Sequence, residues 1–340
     1  MVRTRKEVIK MPIEHFDITK IDATAIIQSM GKMSFTASSI TSATKIFSNM
    51  LQNKKCSIVL TIAGSTISAG CMKVYADMIK YNMVDAIVAT GASFVDMDFF
   101  EAIGFRDYQR TPDISDEFLY NNRFDCNYET DIDEDELRVC NETIKKIADS
   151  LLPGIYSSRE FIREMGKWLT INSNKKTSLT QLAYEYNVPI MCPAFSDSCA
   201  GFGLVKHQYE KPNQHVSIDS VKDIYELTMF KINAEEAGLF MIGGGVPKNF
   251  SQDSVVCAEY HGKKVPVNKH AVQIAVADIQ DGACLSSTLK DARSWGRVGT
   301  GNELMVYSEA TSVLPLIISS VFHEGVWKKR KRRELAKLFS

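Results

Sequence analysis

The chain has 340 residues, with 40 Lys+Arg against 41 Asp+Glu for a formal net charge of −1, and it is 45 % hydrophobic and 24 % charged. These values exclude a disordered, collagen-like or strongly polyelectrolyte chain, and they give no global electrostatic reason to bind nucleic acid or a membrane surface. A chain this long buries roughly 75 % of its unfolded surface, so it needs no disulfide staple.

The first 50 residues read as helical, with Ser38-Ser39 and Thr41-Ser42 as candidate caps for a helix over 43–52. The first twenty residues contain no apolar signal-type segment, and no apolar run approaches the ~20 residues of a membrane span. The eight cysteines include no C-x-x-C pair and none stands at zinc-finger spacing from histidines, so no metal site is expected. A reduced, cytoplasmic protein is the expectation.

From residue 57 the pattern changes. Residues 57–62 (SIVLTI) read as a buried strand, 63–70 as a Gly/Ser-rich turn, 71–82 as a helix and 84–90 (VDAIVAT) as the next strand. This is a β-turn-α-β unit, which calls for a right-handed parallel crossover. The rhythm recurs. Residues 179–186 and 221–236 read as helices, and 189–194, 239–242, 271–276 and 305–307 as strands. A loop over 278–287 leads into a short helix, and another helix begins near Ala310. Strands alternating with helices predict an α/β fold: a doubly wound, mostly parallel sheet with helices on both faces. No Pro- or Ser-rich linker interrupts it, so residues 51–340 are expected to form one domain and 1–50 a helical N-terminal arm. Two charge runs remain: acidic 131–136 (DIDEDE) and basic 328–333 (KKRKRR). With no aromatic residues interleaved, the basic run reads as a solvated face of the last helix rather than a nucleic-acid patch.

Ligands of open α/β sheets bind outside the carboxyl ends of the strands. There stand Gly64 to Gly70, then Thr90-Gly91-Ala92-Ser93 followed by Asp96 and Asp98, and Gly243-Gly244-Gly245. Small residues before a helix N-terminus let backbone approach a phosphate, so together these make a dinucleotide cradle. The alternative is tight turns alone, since the G-x-G-x-x-G fingerprint is absent. Asp197 and Glu309 stand at similar strand ends, where an acid accepts ribose hydroxyls or serves as a helix cap or first-turn acid. Trp295, beside Gly296 and Arg297, suits either core packing or stacking on an organic cation. His207, His215 and His270 form no cluster and read as structural.

Several segments, in order along nearly the whole chain, resemble deoxyhypusine synthase, particularly its bacterial homologues. They are GKMSFTASSI (31–40), GSTISAG (64–70), KYNMVDAIVATGASFVDMD (80–98), CPAFSDS (192–198), IGGGVPKNF (242–250), DGACLSSTLKDARSWGRV (281–298) and EATSVLPLI (309–317). The resemblance implies a Rossmann-like domain and a homotetramer with NAD and a small-molecule amine sharing sites at a dimer interface. An N-terminal arm would lie over a neighbour's site. It also implies oxidation of spermidine, capture of the aminobutyl group on a lysine as an imine, and transfer to an acceptor amine. The acceptor is a protein lysine in deoxyhypusine synthase and putrescine in homospermidine synthases. A protein acceptor is possible here but nothing indicates one.

Position by position, the resemblance assigns cofactor contacts to Ser65, Thr66, Thr90, Gly91, Ala92, Asp96, Asp197, Gly243, Gly244, Gly245, Gly282, Ala283 and Glu309. Trp295 matches the tryptophan that packs on the polyamine, and Asp291 an acid that binds its ammonium. Four positions depart from the pattern. Arg297 occupies the place of the imine-forming lysine, Asn249 falls near the catalytic histidine, and Phe202 and Cys284 replace polyamine-binding acids. Arginine stays charged and its guanidinium is a poor nucleophile, so the lysine relay is expected to be missing. Arg297 would instead suit a carboxylate. The expected function is NAD-dependent oxidation of an amine to an imine, followed by transfer or reduction without a lysine-bound intermediate. The alternative is a non-catalytic or regulatory family member that binds NAD or a polyamine.

Overall fold

The computed structural model describes residues 5–173, 177–280 and 287–339. Six strands, β1 (Cys56–Ile62), β2 (Ala86–Ala89), β3 (Ile190–Met191), β4 (Glu236–Ile242), β5 (Asn268–Ala275) and β6 (Glu303–Tyr307), form one sheet in the order β6-β5-β4-β1-β2-β3. Every pairing is parallel. The register sets Ile62 beside both Ala89 and Ile242, and Ile242 beside Ile274, so the carboxyl ends line up along one edge.

The principal helices are α1 (Phe35–Gln52), α2 (Met72–Lys80), α3 (Cys199–Glu210), α4 (Ser220–Ile232), α5 (Gly245–Tyr260), α6 (Leu289–Ser294) and α7 (Ala310–Glu324). Alternation along each strand feeds two cores. Ile58, Leu60 and Ile62 of β1 pack with Phe47, Tyr75 and Ile317 from α1, α2 and α7. Val59 faces the other way, with Leu227, Phe230, Leu289 and Ala292 from α4 and α6. Burying such side chains stabilises by roughly 1.5–3 kcal/mol each, and both faces being covered is why the strands read as unbroken apolar runs. The predicted doubly wound α/β class is what the chain adopts. Among the described residues no helix is long and apolar enough to cross a membrane.

The first helices differ from expectation. α1 starts at Phe35, eight residues earlier than predicted, and Ser38 and Ser42 do not cap it. Their hydroxyls donate back to the carbonyls of Phe35 and Ser38 at 2.9 and 3.0 Å, which satisfies a serine inside a helix. Residue 50 falls inside α1, whose Phe47, Met50 and Leu51 are core residues. The segment before it lies against its own chain: Ile13 N–H donates to Asp107 O at 2.8 Å and Phe16 N–H to Gly70 O at 2.9 Å. The strand predicted over 189–194 is only Ile190–Met191, and the helix over 221–236 stops at Ile232 because Glu236 already pairs with Cys56. A three-stranded antiparallel ribbon, Tyr108–Gln109, Phe124–Asn127 and Thr130–Asp133, had no counterpart in the sequence reading. The acidic run closes it. Asp133 caps the helix Glu134–Ser150, accepting from Asp135 N–H at 2.9 Å.

The basic run is not a solvated helix face. α7 ends at Glu324, and Gly325 at φ 72° turns the chain out of the helix. Arg330 then folds inward onto the buried carboxylate of Asp85.

Candidate active site

Numbered along the chain, the sheet order is 3-2-1-4-5-6, the order of dinucleotide-binding sheets, and it reverses between β1 and β4. At that reversal the two strand ends touch. Ala63 N–H donates to Ile242 O at 3.1 Å. Gly243 has φ 72°, and a Cβ there would come within 3.2 Å of both Ala63 Cβ and Ala63 O. The left-handed backbone and the close approach both favour glycine. Gly244 precedes the 16-residue α5 and supplies no side-chain cap, so the first amides of α5 are left for water or an anion.

The neighbouring loops are tied together. Ser93 Oγ donates to Gly64 O at 2.7 Å and lies 2.7 Å from Thr90 Oγ1, joining the β1 and β2 loops. Gly91 lies against the β3 loop, where a Cβ would meet Ser198 Cβ at 2.8 Å and Asp197 O at 3.1 Å. Ala92 opens the helical turn Ala92–Phe99, which carries Asp96. Asp98 is fully consumed inside the fold. Its carboxylate accepts from Ser178 Oγ, Leu179 N, Thr180 N and Thr180 Oγ1 at 2.6–2.9 Å.

Asp96 Oδ1 accepts the Cys199 N–H at 2.6 Å, at the start of α3, which is a structural duty. Burial pushes its pKa up to about 6 against that hydrogen bond. The folded chain therefore holds this proton where the unfolded chain, near 3.8, has lost it. Stability from this group falls as pH rises between about 4 and 6, by order of 2 kcal/mol, and is level above. Urea denaturation of wild type and Asp96→Asn at pH 4.5 and 7 is expected to show the variant gaining on the wild type by that amount between the two pH values.

The two remaining acids have separate duties. Asp197 is exposed and is not a helix cap, because Ser198 fills that position and accepts from Gly201 N–H. Glu309 caps α7, accepting from Thr311 N at 2.9 Å, Thr311 Oγ1 at 2.5 Å and Ser312 N at 3.0 Å. A carboxylate has about four acceptor sites, so one remains on Glu309. Glu309, Ser65 and Thr66 line one cleft of about 1070 Å³ with Asn127 and Ile13. Asn127 Nδ2 donates to Ser65 Oγ at 2.8 Å, and Thr66 Oγ1 lies 2.8 Å from the Tyr75 hydroxyl. Asn127 had no sequence signal, since its ribbon was not anticipated.

Trp295, Arg297 and Asn249 come together elsewhere. They line a second pocket of about 310 Å³ with Asp253. Asn268 N–H, at the amino end of β5, donates to Arg297 O at 3.1 Å, which sets this turn away from the carboxyl edge of the sheet. Trp295 is half exposed, and the Arg297 guanidinium lies 4.7 Å over its ring. Arg297 Nη2 is 2.8 Å from Asp253 Oδ1. Asp253 was missed, although its place four residues after Asn249 puts both on one face of α5. Asp291 is exposed and closes a capping box with Thr288, which lowers its pKa through those two hydrogen bonds. Phe202 is an exposed residue of α3. Gly282, Ala283 and Cys284 lie outside the described residues.

A family model of deoxyhypusine synthase matches residues 25–321. The chain belongs to the deoxyhypusine synthase family. It is 57 % identical, over all 340 residues and 97 % of the relative, to a deoxyhypusine synthase-like protein of Coxiella burnetii. A deoxyhypusine synthase-like protein of Caulobacter vibrioides is 54 % identical over 339 residues, 98 % of this chain and 92 % of the relative. The fold matches the crystal structure of an Entamoeba histolytica protein described as a deoxyhypusine synthase, with TM-score 0.60, 21 % identity and coverage of 95 % and 99 % of the two chains. The deoxyhypusine synthase family is NAD-dependent, and its general activity is aminobutyl transfer.

Proposed function

We propose that this deoxyhypusine synthase-like chain is an NAD-dependent enzyme that oxidises an amine to an imine and then transfers or reduces the alkylamine group, without a lysine-bound intermediate. The observation that carries it is the glycine-lined contact of the β1 and β4 ends at the sheet's reversal point, beside an α5 N-terminus that has no side-chain cap. These residues fit NAD. Ser65, Thr66, Thr90 to Ala92 and Gly243 to Gly245 would surround its phosphates, and Asp197 and Glu309 would take ribose hydroxyls. The chemistry a bound nicotinamide supplies is acceptance of a hydride from the carbon that bears the amine.

Arg297 stands where the family resemblance places the lysine, and its guanidinium orients rather than attacks. Trp295 shields one side of the amine, and Asn249 hydrogen-bonds without exchanging a proton. This pocket and the strand-end cleft share no lining residue. A homotetramer in which a second copy completes the site is the arrangement the family resemblance implies.

The test is calorimetric titration of NAD, followed by a single turnover with spermidine, putrescine, agmatine, homospermidine and basic amino acids, read at the NADH absorbance and by mass spectrometry. NAD binding with reduction by at least one amine is expected. NAD binding without any reduction would favour the non-catalytic reading that Arg297 also allows.

A further inference from the structure

The Trp295 pocket contains an unfinished ion pair. A carboxylate that engages a guanidinium fully takes two parallel N–H donors. Asp253 reaches Arg297 only through Nη2, at 2.8 Å. The Arg297 Nε–H is buried and, like Asp253 Oδ1, makes no hydrogen bond among the described residues. A buried donor left unmet is costly, so an acceptor belonging to a ligand is the natural complement. The Asp253 side chain is 44 % exposed and the Arg297 side chain 21 %, so both can be reached from the pocket.

The charge balance points the same way. The pocket is lined by Asn249, Asp253, Trp295 and Arg297, one carboxylate against one guanidinium. Among the described residues the lining holds no surplus acid for a polycation. Arg297 is also held from behind. Its carbonyl accepts both Asn268 N–H, at 3.1 Å, and Asn268 Nδ2, at 2.8 Å. Asn268 Oδ1 in turn accepts from the buried Lys231 Nζ at 2.9 Å. The guanidinium thus stands on a fixed backbone, as a preorganised recognition group does.

We infer that this pocket receives the zwitterionic end of a basic α-amino acid. The α-carboxylate lies on Arg297 through Nε and an Nη, the α-ammonium on Asp253, and the aliphatic stem against Trp295. The side-chain amine then remains available for oxidation. This inference rests on the amine-oxidising reading and narrows its substrate class from polyamines to amino-carboxylates.

The experiment uses the full chain with saturating NAD and calorimetric titration of three matched pairs: L-ornithine against putrescine, L-lysine against cadaverine, and L-arginine against agmatine. The amino acid of at least one pair is expected to bind about tenfold or more tightly than its amine, as fits a charged bidentate contact. Its methyl ester is expected to lose that advantage in the wild type. Arg297→Gln is expected to abolish the preference, and Asp253→Asn to weaken the amino acid while leaving NAD affinity unchanged. Amines that bind as tightly as their amino acids, or an ester that binds as well as the free acid, would overturn the inference, and the ester arm decides even if a variant fails to fold. NAD titrated alone separates the two levels. NAD binding without carboxylate preference sinks only this inference, whereas carboxylate preference without NAD binding sinks the enzyme reading.

Discussion

Arg330→Ala is expected to destabilise the protein by about 3–5 kcal/mol, a large part of the ~5–15 kcal/mol that holds a typical domain folded. Arg330 and Asp85 form an ion pair whose side chains are 3 % and 1 % exposed. The same guanidinium donates to Asn82 O at 3.0 Å and Cys56 O at 3.2 Å. Asp85 Oδ2 also accepts the Ile58 N–H at 2.7 Å, at the amino ends of β1 and β2. Removing the arginine leaves a buried carboxylate whose remaining counter-charge is Arg333 Nε, 3.9 Å away, and that penalty dominates the loss. Equilibrium urea denaturation measures it. Lys331→Ala, on an exposed neighbour in the same basic run, is expected to stay within about 0.5 kcal/mol. Replacing Arg330 and Asp85 together by Met and Leu should recover part of the loss, because the unpaired buried carboxylate is gone although the Ile58 N–H then loses its acceptor. Equal effects at 330 and 331 would mean that the run is a solvated surface after all.

Gly201→Ala is expected to cost about 2–4 kcal/mol and to weaken NAD binding as well. An added Cβ at Gly201 would lie 2.2 Å from Ser196 O and 2.7 Å from Ser196 C. Those are backbone atoms, so no rotamer change relieves the overlap, and the loop leading to Asp197 must move. The same loop carries Ser198, against which Gly91 packs, and Cys199, whose N–H meets Asp96. Displacement therefore reaches two of the strand ends assigned to the cofactor. Calorimetric titration of NAD against the folded variant, with urea denaturation alongside, reads both effects. Gly299→Ala is the control, since its Cβ would make only ordinary contacts at 3.5 Å and beyond. Unchanged NAD affinity in a destabilised but folded Gly201→Ala would separate the β3 loop from the cofactor site.

Much of the fold was legible in the sequence. Residues 57–62, 84–90 and 271–276 are mostly apolar without strict alternation, as strands covered on both faces are, and each holds a strand of the parallel sheet. The glycine-rich strand ends were legible for the same reason, since a turn from strand to helix with close backbone contact tolerates little else. The region 104–176 was less legible. Its ribbon strands are two to four residues long, too short for periodicity to register, and its acids serve as caps and buried partners. In the site, Trp295 and Arg297 were named from sequence, but Asp253 was not, because nothing local marks one helix acid as the partner of an arginine forty-four positions later.

By itself the sequence determined the layered α/β class, the succession of strands and helices, and the chemical identity of the candidate groups. Each of these follows from local patterning of apolar, small and charged residues. Only the tertiary structure decided which charges are spent on the fold and which remain for a ligand. Arg330 and Asp85, 245 positions apart, neutralise each other in the interior, while Arg297 keeps a buried donor unmet beside a half-exposed carboxylate. Composition cannot separate these cases, because the energy of a charge depends on its burial and on the geometry of its partner, and both are set by contacts between residues far apart in the chain.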